Sequence, residues 1–209
     1  MFFNLTRANL SKVGEMVEVI LRVAVIFFAV ICLSLSWLFF DALRLRFEIK
    51  TFLRLLGFLM LGIGFGGILT SPSVLNTIPF LLWIKIVGLY AIFVSYAFDA
   101  HSKFQIALIL GIVLLIFLKD HQALAVIAFL TALTVFQLAY STKHRDLIPL
   151  GTGFILIAIA EFFRSIETME LAGLSLASAF LHIFASVSFF LWMWQYLIIR
   201  FNIKKSRLT

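Results

Sequence analysis

The sequence predicts an all-α fold: a polytopic membrane bundle of seven transmembrane helices in one integral domain, 1–209. Three observations predict it. Hydrophobic residues make up 63% of the chain and charged residues 13%, where a soluble domain carries about 25% charged residues. Seven long apolar runs, at about 19–40, 55–70, 79–98, 104–118, 122–140, 147–163 and 171–199, leave little chain over. A bilayer core of about 30 Å takes roughly 20 apolar residues of helix. Hydrocarbon cannot hydrogen-bond a bare backbone, so such runs must be helical. Finally, no proline interrupts a run centre. Pro72 follows run 2, and Pro79 and Pro149 sit at or near the starts of runs 3 and 6, where a missing N–H costs nothing.

Run 1 holds Cys32, the single cysteine, so neither an intramolecular disulfide nor a cysteine metal site is expected. The run is long, and no small-x-small cleavage pattern follows it. It reads as a permanent span rather than a cleavable signal. The connection near 41–54 alternates apolar and charged residues over Leu43-Arg44-Leu45-Arg46-Phe47-Glu48-Ile49-Lys50. That period predicts an extended segment lying along the headgroups.

Run 2 carries Gly57, Gly62, Gly64, Gly66 and Gly67. Gly62-x-x-x-Gly66 lets a neighbouring helix approach closely; with no Lys-Ser/Thr following, it is not a phosphate loop. In run 3, Lys85, Gly88, Ile92, Ser95 and Asp99 recur at helical spacing and share a face. Run 4 is almost featureless and apolar. Run 5 has a polar streak of Thr131, Thr134 and Gln137. Run 6 ends in Ala160-Glu161-Phe162-Phe163-Arg164, with an i, i+3 pairing available between Glu161 and Arg164. Run 7 has an inward stripe of Ser175, Ser178, His182 and Ser186. It contains no Lys, which disfavours a retinal protein.

The net charge of +7 does not indicate nucleic-acid binding. The basic residues lie at helix ends and form no soluble basic face with interleaved aromatics. Eleven Lys and Arg fall on one side of the expected membrane and six on the other. The positive-inside rule then places the N-terminus outside and the C-terminus in the cytoplasm of a prokaryotic inner or plasma membrane. Arg200, Lys204, Lys205 and Arg207 are expected to touch anionic headgroups.

Ionisable residues at membrane depth are costly and mark functional candidates. Lys85, Glu161, His182 and Ser178 are the ligand-binding candidates. Lys85 and Glu161 fall at similar depth and could form a buried pair. Alternatively, Lys85 snorkels to the headgroups, and the serine stripe serves close helix packing. Asp120, His121, Glu167 and Glu170 read as solvated loop residues. Ser178 and His182 are one helical turn apart but no orienting acid is evident, so no catalytic residue is assigned. No facing histidines suit haem, and no cofactor or metal is expected.

Two sets of matching segments read either as an internal repeat or as coincidence among segments of biased composition. Gly57-Phe58 and Gly62-Ile63-Gly64 match Gly153-Phe154 and Ala158-Ile159-Ala160 at an offset of 96, while Ile92-Phe93 and Ser95 match Ile183-Phe184 and Ser186 at an offset of 91. Runs 1–3 and 5–7 would then be parallel copies joined by run 4.

Three stretches, namely Phe52-Leu53-Arg54, Leu56-Gly57-Phe58-Leu59-Met60-Leu61-Gly62-Ile63-Gly64 and Ile159-Ala160-Glu161-Phe162-Phe163-Arg164, give the chain a resemblance to prokaryotic seven-helix sensory modules. Such modules usually feed a kinase or cyclase domain. Only about ten residues follow run 7 here, so the resemblance implies a separate partner protein for output. The expected function is a non-enzymatic sensory, ligand-binding or complex-forming membrane subunit. A small solute transporter of 3+1+3 type is the alternative, although the Pro-Gln signature of the sugar-transporting SWEET architecture is missing. A membrane-embedded enzyme is the second alternative.

Overall fold

The computed structural model describes residues 2–67, 79–99, 120–166 and 172–206. Six α-helices account for nearly all of them: α1 (Phe2–Leu45), α2 (Ile49–Gly66), α3 (Pro79–Ala97), α4 (Asp120–Thr142), α5 (Ile148–Ile166) and α6 (Ala172–Ser206). They correspond to runs 1, 2, 3, 5, 6 and 7. Each is long and apolar enough to cross a membrane. Run 4, and the side chains of Arg200, Lys204, Lys205 and Arg207, lie outside the described residues.

Two boundaries differ from expectation. Helix α1 has 44 residues, about 66 Å at 1.5 Å per residue. That is twice a bilayer core, and its segment Glu15–Leu45 is long and apolar enough to cross one. The alternating stretch Leu43–Lys50 is not an extended segment. Helix α1 runs on through Leu45 and α2 starts at Ile49. Arg46 N–H still donates to Ala42 O at 3.2 Å, and Phe52 N–H donates to Glu48 O at 3.0 Å. Only Glu48 keeps extended angles, as the N-cap of α2. Helix bonds, which form locally, take up most of this backbone.

The helices pack in chain order around a ring, and α6 closes onto α1. Glycines set the closest approaches. A Cβ on Gly57 would stand 2.6 Å from Gly88 O, and one on Gly88 would stand 2.8 Å from Gly57 O, so α2 and α3 meet backbone to backbone. Gly62 meets Leu33 of α1 instead. Helix α2 thus uses different glycines against its two neighbours.

Aromatic side chains fill the middle of the ring. Phe28 (α1), Phe58 and Phe65 (α2), Phe154 (α5) and Phe189 (α6) are all fully buried. Phe28 and Phe65 stand edge to face at 4.9 Å between centroids, and Phe154 and Phe189 at 5.0 Å. Phe58 touches both Phe154 and Phe189. Edge-to-face pairs add about 0.5–1.5 kcal/mol beyond area burial. This plug separates two polar clusters, one at each end of the bundle.

The clusters also fix helix direction. At one end, Asp99, just past α3, pairs with Lys50 and Arg54 from the first turns of α2. At the other end, Lys85, early in α3, lies within electrostatic range of Glu161, late in α5. Glu161 in turn bonds His121 at the start of α4. Helices α3 and α4 therefore run in the same direction.

Candidate functional site

Glu161 is the centre of the second cluster. Helix α5 turns its Leu150, Phe154, Ile157, Ala158 and Glu161 face inward, and the carboxylate is fully buried. Burying an unpaired carboxylate would cost many kcal/mol. Three cationic or ionisable side chains offset this. His121 Nδ1 lies 2.6 Å from Oε2. Arg164 Nη1 lies 3.8 Å and His182 Nε2 lies 3.4 Å from Oε1.

His182 is oriented by its own helix. Its Nδ1 lies 2.8 Å from the backbone carbonyl of Ser178. A carbonyl only accepts, so Nδ1 carries a proton and donates it. Nε2 then faces Glu161 Oε1. At 3.4 Å the contact is longer than an ordinary hydrogen bond. Phe28 and Phe65 stand edge-on to the imidazole at 5.7 and 5.6 Å, walling it on the aromatic side.

Lys85 does not snorkel. Its side chain is buried, with Nζ 4.7 Å from the centre of the Phe65 ring. A buried ammonium over a ring face gains about 2 kcal/mol when desolvated. Gly64 makes this placement feasible, because a Cβ there would stand 2.5 Å from Lys85 Cγ. Lys85 and Glu161 share the cluster electrostatically but form no direct ion pair; His121, Arg164 and His182 take the near positions.

Ser175, Ser178, His182 and Ser186 all face inward. Ser186 Oγ donates to the His182 carbonyl at 2.8 Å. The His182 ring binds the Ser178 carbonyl rather than its hydroxyl, so the two side chains do not form a nucleophile–base pair. Three buried polar atoms of the candidates have no hydrogen-bond partner: Glu161 Oε1, Ser178 Oγ and His182 Nε2. Two imidazoles and a carboxylate meet here, yet no group of three such ligands among the described residues has metal-holding geometry. In particular, His121 Nδ1 bonds the carboxylate itself.

His121 is not the solvated loop residue that the sequence suggests: it lies in α4, one residue after the start, and bonds Glu161. A signal was present. His121, Leu124, Ala128 and Thr131 recur at i, i+3, i+7 and i+10, so the Thr131 face followed back toward the start of α4 reaches His121. Of the α4 streak, Thr131 and Thr134 are buried and bond their own backbone at Ile127 and Leu130, whereas Gln137 is exposed.

The other cluster was not anticipated as a unit. Arg54 stacks on Tyr96 at 4.1 Å and approaches Ser95 Oγ at 3.4 Å while pairing with Asp99. No family model matches the chain, and no curated protein or solved structure is significantly similar to it.

Proposed function

We propose that the chain is a non-enzymatic membrane subunit that senses or holds a small polar ligand at the Glu161 cluster. One observation carries the reading. Glu161 Oε1, Ser178 Oγ and His182 Nε2 are buried without a hydrogen-bond partner, Oε1 and Nε2 facing each other at 3.4 Å. Each unsatisfied buried group costs about 1–3 kcal/mol. A ligand with hydrogen-bond donors would satisfy the carboxylate and hydroxyl, and an apolar or aromatic portion would suit Phe28 and Phe65. In the N-out, C-in orientation of the positive-inside rule, this cluster lies in the outer half of the membrane.

Native mass spectrometry of the chain released from lipid particles tests the reading. A bound small molecule or partner should be present, and Glu161→Gln and His182→Ala should lose it at unchanged folded yield. If the wild-type protein carries neither, and no compound in a broad panel raises its Tm, the reading fails.

A second reading, a small transporter built on a 3+1+3 parallel repeat, draws on the ring order. Exchanging α1, α2, α3 with α4, α5, α6 maps each packed neighbour onto another packed neighbour. Phe58 and Phe154, equivalent at an offset of 96, meet across the ring at 6.3 Å. Helices α3 and α4 run parallel, as an additional span between them requires. Solute uptake by proteoliposomes that Lys85→Ala or His182→Ala abolishes would favour this reading. Uptake equal to empty vesicles across a solute panel would reject it.

A further inference from the structure

A groove of about 830 Å³ opens where α4 ends and α5 begins, lined by Phe136, Ala139, Tyr140, Lys143, Arg145 and Ile148. Its two halves differ in chemistry. Phe136, Ala139 and Ile148 are apolar and belong to the spanning segments. The far end of the Phe136 ring packs against α5 at Gly151, where an added Cβ would come within 2.9 Å of the ring. Lys143 and Arg145 stand at the rim, in the link between the two spans. Lys143 has a left-handed backbone, φ 58°, which turns the chain sharply. Arg145 N–H donates to Lys143 O at 3.2 Å and holds the two residues together.

The rim is cationic without compensation. The nearest carboxylate in sequence, Asp146, is 3.5 Å from His144 Nδ1. Among the described residues neither Lys143 nor Arg145 forms an ion pair. The exposed Tyr140 closes α4 at the same level, an interfacial position that Tyr favours.

We infer that this groove binds one anionic phospholipid: its phosphate lies between Lys143 and Arg145, and an acyl chain lies along Phe136, Ala139 and Ile148. The match is of charge and of depth together. A free phosphate would use the rim and leave the apolar floor unoccupied. A zwitterionic lipid would bring its choline cation to a rim that already carries Lys143 and Arg145. The inference is independent of the Glu161 cluster, which lies at the opposite end of the bundle.

The test is native mass spectrometry of the full chain in detergent, titrated with phosphatidylglycerol. Parallel arms use phosphatidylcholine and inorganic phosphate. One phosphatidylglycerol should be retained selectively over phosphatidylcholine. The double variant Lys143→Gln/Arg145→Gln should bind it roughly thirtyfold more weakly, the loss expected for two cations at an anionic surface. Ala139→Phe, which keeps both charges and fills the groove, should also weaken binding; if its folded yield falls, Ile148→Ser at a half-exposed position replaces it. Arg46→Gln, removing an exposed cation elsewhere at the same end, should leave binding unchanged. Equal retention of the two lipids, equal loss in Arg46→Gln, or full binding by the double variant would overturn the inference. So would displacement of the lipid by millimolar inorganic phosphate, which would assign the rim to the free ion.

Discussion

Removing the Glu161 carboxylate tests the centre of the cluster most directly. The side chain is fully buried, with His121 at 2.6 Å, His182 at 3.4 Å and Arg164 at 3.8 Å. Glu161→Ala strands these partners in a low-dielectric interior, and breaking a buried pair in this way costs about 3–5 kcal/mol. Glu161→Gln keeps the volume and an acceptor for His121 but deletes the charge, so about half that loss is expected. The His121 contact can be isolated with a double-mutant cycle. Interhelical hydrogen bonds in membranes average about 0.6 kcal/mol, and charge assistance roughly doubles a bond. The coupling between Glu161→Ala and His121→Ala should therefore be about 1–2 kcal/mol. Equilibrium unfolding in bicelles, followed by steric trapping, measures all four corners of the cycle. If Glu161→Ala unfolds like wild type, or the two substitutions are additive, the buried-cluster argument is wrong.

Three other outcomes follow from the geometry. Gly57→Ala and Gly88→Ala each place a Cβ within 2.8 Å of an opposing backbone carbonyl and should cost about 1–3 kcal/mol in the same assay, whereas Gly66→Ala, 3.8 Å from Ala29 Cβ, should be near neutral. Asp99→Asn releases both Lys50 and Arg54; hydrogen exchange should rise in the first turn of α2 and the last turn of α3 while the Glu161 end stays protected, and uniform exchange across α2 would contradict the two-cluster picture. Cys32 is the single cysteine and is buried, so wild-type protein should resist maleimide and Arg46→Cys can serve as a reporter without a cysteine-free background. With the N-out orientation, Arg46→Cys in intact cells should be shielded from an impermeant maleimide; full labelling would reverse the orientation.

How much of this was legible depended on the range of the interaction. The seven apolar runs located the six described helices because hydrocarbon forces backbone bonds to close within each segment. Periodicity within a run was equally informative: Ser175, Ser178, His182 and Ser186 share an inward face, as do Lys85, Gly88, Ile92 and Ser95. What failed was judging single residues by their distance from a run centre. His121 sits at the edge of run 5 and was taken for loop, yet it lies beside Glu161, because α4 begins at the level where α5 nears its end. Lys85 was within reach of the headgroups by depth, but the space left by Gly64 turns it inward to Phe65. The alternating segment before α2 is not extended for a related reason: local helix bonds reach into it from both sides.

The sequence by itself determined that this chain is a bundle of apolar helices with few buried ionisable groups, and which residues share a helix face. Local hydrogen bonding and lipid exclusion suffice for that. Only the tertiary structure decided which faces meet. Glu161 receives His121 from 40 residues earlier in the chain and His182 from α6, and Asp99 receives Lys50 and Arg54 from α2. Helix rotation and ring order set these encounters, and they come from glycine approaches and aromatic packing between segments, which no single helix encodes.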